Sequence, residues 1–266
     1  IDKFASQVYS SDQQLIGTWN ADNNNRVAID YNGLSPHLVH ALVATEDERF
    51  YEHSGVDFIA LGRAVVKRGV MGQASAGGGS TITQQLAKQL FSEKAHSTVE
   101  RLLQKPIEWI IAVKLERHFT KEEILAMYFN YFDFLHNAVG IKRAANVYFN
   151  KEPRKLTVTE AAMLVGLCKN PSMFNPLRYP ERCKQRRNVV LMQMVKSGYV
   201  TKAEYDELSQ RPLGLHFTKA KPVSGAADYF QAYLRQYMMA KKPVREDYQA
   251  WQNRQFVLDS IAWEQD

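Results

Sequence analysis

The chain has 266 residues, 45% hydrophobic and 23% charged, which excludes a disordered or collagen-like chain and allows one large domain or two modest ones. A formal charge of +6 and a pI near 9.1 favour an anionic partner: nucleic acid, a membrane surface or a phosphate-bearing substrate. Two cysteines, Cys168 and Cys183, give neither a disulfide framework nor a metal-site spacing, and no apolar run approaches the ~18 residues of a membrane span.

Residues 1–30 alternate weakly through Val8, Leu15-Ile16, Trp19, Val27 and Ile29, with polar turn clusters between them. Short strands or an extended lead-in fit this pattern. The start at Ile1 falls in mid-pattern, and an upstream segment is expected. Ser35-Pro36 then marks a helix start, Ser as N-cap and Pro at the first position. Leu38, Leu42 and Thr45 share a face, which delivers Glu46 to the helix end.

The stretch that follows, Glu46-Asp47 with Phe50-Tyr51, His53 and Gly55, is the first with chemistry in it. Adjacent carboxylates repel, and each raises the cost of ionising the other. Alone, such a pair reads as a solvated helix end. Asp57 can cap the next segment, where Phe58, Leu61 and Val65 recur at helical spacing beside Arg63, Lys67 and Arg68. That piece fits a membrane surface or an ordinary core-facing helix with a solvated basic face.

Gly77-Gly78-Gly79 frees the backbone ahead of Ser80, which can cap the following helix. Amides at a glycine-flanked helix start bind anions. Thr81, Gln84 or Gln85, and Lys88 fall on one stripe behind it, a row of donors for a phosphate or sugar. Capping-box patterns begin at Ser97, Thr120, Thr157 and Thr201, so the chain reads as mainly α. The helix after Ser97 carries Arg101, Lys105 and Glu108 on one face, with Pro106 expected to kink it. Glu108, flanked by Ile107 and Trp109, is either a surface ion-pair partner of Lys105 or a partly buried working carboxylate.

Ile124, Leu125, Tyr128 and Phe129 lead to Asn130, and Tyr131 to Phe134 read as core. An apolar helix at Ala161 to Cys168 is stopped by Asn170-Pro171, and a basic helix from Arg182 to Lys196 ends at Gly198. Beyond Thr201 the pattern loosens, with one more helix expected at Tyr229 to Met239.

The ordered blocks EDERFYEHSG (Glu46 to Gly55), GGSTITQQLAK (Gly78 to Lys88), KPIE (Lys105 to Glu108), EEILAMYFN (Glu122 to Asn130) and GIKRAANVYFNK (Gly140 to Lys151) resemble the peptidoglycan glycosyltransferase domain of class A penicillin-binding proteins. The resemblance implies a lysozyme-like, mainly helical glycosyltransferase fold over residues 31–200. It makes 1–30 a lead-in after a membrane anchor, and 201–266 a linker toward a transpeptidase domain. No Ser-x-x-Lys or Lys-Thr-Gly motif is present for transpeptidase chemistry.

The implied activity is polymerisation of lipid II into glycan strands at the outer face of the bacterial cytoplasmic membrane. Conversion of an α-linked sugar diphosphate to a β-1,4 linkage requires inversion, and so a general base. The family's base position is Glu46, and its second carboxylate position is Glu108. Lys105, Lys88 and Arg101 would supply positive charge, and Ser80, Thr81, Gln84 and Gln85 would grip diphosphate and sugar. Asp47, Phe50 and His53 would shape the cleft, with Asn130 also at the site; His53 reads equally as a satisfied structural histidine. A divalent cation (Mg or Mn), with Glu108 as a possible ligand, is an expected aid to the leaving diphosphate; no organic cofactor is implied. The expected partners are lipid II, the growing strand and an anionic membrane surface, with no nucleic acid.

Three departures stand out. Gln104 occupies the place of an arginine, Phe132 to Asn137 replace a glycine-rich stretch, and Asn150 fills a glycine slot. Two rival readings remain: a lysozyme-like hydrolase or lytic transglycosylase, and a basic membrane-surface or cell-wall binding module. The first needs no diphosphate site, and the second leaves Glu46 and Glu108 unexplained.

Overall fold

The structure, a computed structural model, describes residues 6–9, 11–13, 15–19, 27–69, 79–91, 98–218, 242–249 and 252–265. The expected turns at 10 and 22–25, the glycines 77 and 78, the cap at Ser97 and the helix at 229–239 lie outside the described residues, as does the Arg101 side chain. The chain is mainly helical and divides into two compact units, one of Asn20–Pro222 with Ile1–Ser6, the other of Gln7–Trp19 with Val223–Asp266.

In the larger unit the first helix, α1 (Pro36–Glu46), starts as the sequence predicts. The Ser35 hydroxyl accepts from His37 N–H, with Pro36 at the first helical position. The helix is apolar on most of its circumference and buries Leu38, Val39 and Ala41 to Ala44. A helix of that kind is stable only inside a core. Its neighbours are α7 (Val158–Lys169) and α8 (Pro180–Lys196), which also pack on each other. Helices α2 (Phe58–Gly69), α3 (Ile82–Phe91), α4 (Thr98–His118), α5 (Lys121–Tyr131) and α6 (Ile141–Phe149) complete the order, and α3 packs on α4 and α5. Fully buried Leu38, Leu86, Ile124, Tyr128, Phe129 and Leu164 lie in one continuous core. Burying each such side chain contributes roughly 1.5–3 kcal/mol.

Local chemistry sets several boundaries. Capping boxes open α5 at Thr120, α7 at Thr157 and α9 (Lys202–Gln210) at Thr201, each with the glutamate three residues on. Pro106 sits inside α4, which continues to His118. Asn150 ends α6 in the left-handed conformation at φ 51°, as its place in a glycine slot requires. The non-glycine stretch after α5 turns in the same way: Leu135, His136 and Asn137 all have positive φ, and Ala138 N–H closes the turn on Leu135 O at 2.8 Å.

The unit continues past residue 200, and Arg187 is one reason. Its fully buried guanidinium donates to the carbonyls of Ser209, Arg211 and Pro212 at 3.0, 2.8 and 2.9 Å, capping the end of α9 and the turn after it. His216 and Thr218 N–H then bond to Tyr148 O and Val147 O.

The second unit contains nearly all of a two-stranded sheet, β1 (Ser6–Tyr9, of which Ser6 belongs to the larger unit) with β2 (Leu15–Trp19), and a helix, α10 (Asn253–Gln265). Tyr248 steadies α10 through a 2.8 Å hydrogen bond to Asp259 and an edge contact with Phe256.

Candidate active site

A cavity of about 310 Å³ opens at the end of α1, lined by Thr45, Glu46, Asp47 and Arg49, by Asp57 and Arg63 from the start of α2, and by Ser80 and Thr81. Two glycines permit the approach of its walls. A Cβ on Gly55, at φ +96°, would lie 2.8 Å from the Ala112 carbonyl group of α4. A Cβ on Gly79 would lie 3.1 Å from Leu61 Cα, so the segment before α3 sits directly on α2.

The neighbouring carboxylates have separate partners. Glu46 Oε2 accepts from Gln85 Nε2 at 3.0 Å, and Glu46 Oε1 faces Arg186 Nη2 at 3.6 Å. Its side chain keeps 19% exposure at the cavity. Gln85 is oriented from behind by the buried Tyr128 hydroxyl, which donates to Gln85 Oε1 at 3.1 Å. Asp47 is buried: both its oxygens lie within 3.1 Å of His53 Nε2, and Oδ2 also accepts Ile82 N–H at 3.0 Å. His53 Nδ1 accepts from Gly55 N–H, which leaves Nε2 to donate to Asp47.

Asp47 lines the cavity, whereas Phe50 and His53 are not among its lining residues. Phe50 is fully buried, with Lys121 Nζ 4.2 Å from its ring centroid. Lys121 also donates to His53 O at 2.7 Å and to Glu116 at 2.8 Å, and Glu116 accepts the Thr83 hydroxyl at 2.6 Å. These bonds lock the Glu46-to-Gly55 block onto α3, α4 and α5.

The residues expected to grip the substrate also carry structural bonds. Thr81, not Ser80, caps α3: its hydroxyl accepts from Gln84 N–H, and Gln84 Oε1 accepts from Thr81 N–H, a reciprocal capping box. Thr81 Oγ1 donates to Gly55 O at 2.6 Å, and Ser80 donates to the same Gln84 oxygen. Thr81 and Gln84 thus hold the wall together, with little left to offer a ligand. Asn130 is buried with both halves of its amide bonded to the Ile29 backbone, so it clamps the incoming chain. Ser80 and Gln85 stay partly accessible, and Lys88 is exposed.

Glu108 is buried to 4% exposure and takes a 2.7 Å bond from the half-exposed Lys105. It is thus both buried and the ion-pair partner of Lys105. Among the described residues no three His, Cys, Asp or Glu side chains converge on one point, and the carboxylates of Glu46, Asp47, Asp57 and Glu108 already face cationic or N–H partners. A resident divalent cation does not fit this set.

Both cysteines are free thiols, and burial pushes the Cys183 thiol up to about 12. The residue that sequence reasoning missed is Arg186. It stood only as part of a basic helix, although Arg186-Arg187 interrupts the buried stripe of Cys183, Val190, Leu191 and Met194.

A family model described as Transglycosylase matches residues 12–195. The chain belongs to the transglycosylase family. This transglycosylase is 40% identical over 238 residues to penicillin-binding protein 1A of Aquifex aeolicus (strain VF5), covering 89% of the chain and 31% of that protein. It is 38% identical over 232 residues to penicillin-binding protein 1A of Escherichia coli (strain K12), covering 87% and 26%. It is 40% identical over 210 residues to penicillin-binding protein 1F of Bacillus subtilis (strain 168), covering 79% and 28%. The transglycosylase chain spans less than a third of the length of these relatives. Glu46, Gln85 and Arg186 all fall inside the matched residues.

Proposed function

We propose that the domain polymerises lipid II into β-1,4-linked glycan strands with inversion. The acceptor 4-hydroxyl oxygen bonds to the donor sugar's anomeric carbon as the bond from that carbon to the diphosphate oxygen breaks. The hydroxyl proton passes to Glu46, and undecaprenyl diphosphate leaves with the bonding electrons. The observation that carries this reading is the state of Glu46, a carboxylate held by Gln85 and Arg186 yet accessible at the cavity. A base must be fixed near its proton donor and still reachable.

Lys105, Lys88 and the cavity's Arg63 supply the positive charge a leaving diphosphate needs. Glu108 orients Lys105 through their 2.7 Å contact. No step is routed through a metal ion. Exposed Phe58, Ile59 and Val66 on α2, beside Arg63, support an anionic membrane surface as the working site, at the outer face of the cytoplasmic membrane. Among the described residues no helix is long and apolar enough to cross a membrane. The relatives' greater length supports a place within a longer penicillin-binding protein that also carries transpeptidase chemistry.

A paired assay tests the reading. Purified protein is given lipid II in one arm and preformed glycan in the other. Consumption of lipid II with growth of polymer is expected. Release of soluble muropeptides from preformed glycan without lipid II consumption would instead identify a hydrolase.

A further inference from the structure

Glu46 occupies the C-terminal end of α1, where the helix dipole disfavours a negative charge, and Asp47 follows it directly. The Asp47 charge is met by His53 and the Ile82 amide, so it needs nothing more. Among the described residues Glu46 receives one neutral donor, Gln85, from α3. Tyr128 of α5 and Cys168 of α7, both close enough to feel its charge, are held in their neutral forms by burial. Glu48, Arg49, Asp57 and Arg63 lie around the cavity, and Arg49 is engaged by Glu52 at 2.9 Å and Asp57 at 3.6 Å. Among the described residues the cation in ion-pair range of Glu46 is Arg186.

Arg186 reaches it by crossing α7 at a glycine. A Cβ on Gly166 would lie 3.2 Å from Arg186 Cγ, tighter than ordinary packing, so with an alanine there the arginine's stem must give by a few tenths of an ångström. Arg186 Nε donates to Gly166 O at 3.4 Å, and the guanidinium lies 5.9 Å from the Phe174 ring centroid. These contacts fix the fork with Nη2 directed at Glu46 Oε1. Arg187 next to it shows what a purely structural arginine looks like here. Its bonds go to Asn188 and to the backbone carbonyls of Leu208, Ser209, Arg211 and Pro212.

We propose that Arg186, laid across Gly166, is a positioning residue for Glu46: it holds one carboxylate oxygen toward the cavity. The proposal rests on Glu46 being the base. Contact at 3.6 Å is an ion pair without a full hydrogen bond, so Oε1 retains a lone pair for the incoming proton. Gln85, held by Tyr128, fixes the other oxygen, and the two partners together define the carboxylate plane. Arg186 is given no contact with substrate. Its loss is therefore felt in kcat, with KM for lipid II little changed.

The test measures kcat and KM for lipid II polymerisation against pH for Arg186→Gln, Arg186→Lys, Gly166→Ala and Glu46→Gln, with thermal melting of each. Arg186→Gln is expected to lower kcat about tenfold or more. Its KM for lipid II is expected to stay within about twofold of the parent value, because the lost group positions the base and not the substrate. Arg186→Lys keeps the charge and is expected to recover part of the lost kcat. Gly166→Ala suits a helix interior, so its melting temperature is expected to hold while kcat falls.

An unchanged kcat in Arg186→Gln would overturn the proposal, as would Gly166→Ala at full rate. Should Arg186→Gln fail to fold, Gly166→Ala and Arg186→Lys decide. An active Glu46→Gln overturns the base assignment and the proposal with it. An inactive Glu46→Gln beside an Arg186→Gln of unchanged kcat overturns the proposal alone.

Discussion

Asp47 accepts the backbone N–H of Ile82 at 3.0 Å, joining the end of α1 to the first turn of α3. The bond turns a residue adjacent to the proposed base into a strut for the cavity wall, with His53 as its second support. Replacing Asp47 with alanine leaves a buried amide and a buried imidazole without their acceptor. A loss of about 1–3 kcal/mol is expected, read by urea denaturation, with reduced polymerisation as the wall loosens.

Gly55 and Gly198 separate two costs of losing a glycine. Both have positive φ, but a Cβ at 55 meets the α4 backbone at 2.8 Å, and a Cβ at 198 meets nothing within 4 Å. Gly198→Ala is expected to cost about 1–2 kcal/mol, for the backbone alone. Gly55→Ala is expected to cost clearly more and to reduce activity, since it parts the Glu46-to-Gly55 block from α4. Equal losses in chemical denaturation would contradict the close approach.

His40 stacks on Tyr199 with ring centroids 4.2 Å apart. Burial, and the neighbouring charge of His37, hold its pKa below 6.5. Between the lowered folded pKa and the unfolded value, the unfolded chain binds more protons. Stability therefore falls as pH drops through about 6.5, and levels once both states are protonated. His40→Gln removes this contribution. Unfolding free energies taken on either side of 6.5 are expected to differ less in the variant than in the parent.

The two thiols are held protonated by burial, Cys183 up to about 12 and Cys168 higher still. Thiolate is the reactive form. Native protein near neutral pH is expected to react slowly with a thiol-specific reagent, and both cysteines rapidly after denaturation. Fast reaction of the native protein would place a thiol outside the core.

The parts legible in the sequence are those fixed by nearby residues. Ser35-Pro36, the boxes at Thr120, Thr157 and Thr201, and Asn150 each satisfy a helix end within a few positions, so pattern alone finds them. Glu46 at the end of α1 follows from the same logic. The cap of α3 was also within reach, because Thr81 and Gln84 have the capping-box spacing; the glycines before Ser80 drew attention one residue early. What pattern could not find are bonds between distant segments. Asn130 with Ile29, Lys121 with the His53 carbonyl, and Arg186 with Glu46 join parts of the chain that only the packed helices bring together. The role of Gly166 depends on a side chain from another helix, so it had no local sign.

The most direct measurement of the central claim is lipid II consumption by Glu46→Gln. Glutamine keeps the shape and can still meet Gln85, but it cannot take the acceptor's proton. The account predicts polymerisation lowered by about 100-fold or more at an unchanged melting temperature. Polymerisation by Glu46→Gln at near the parent rate would contradict it.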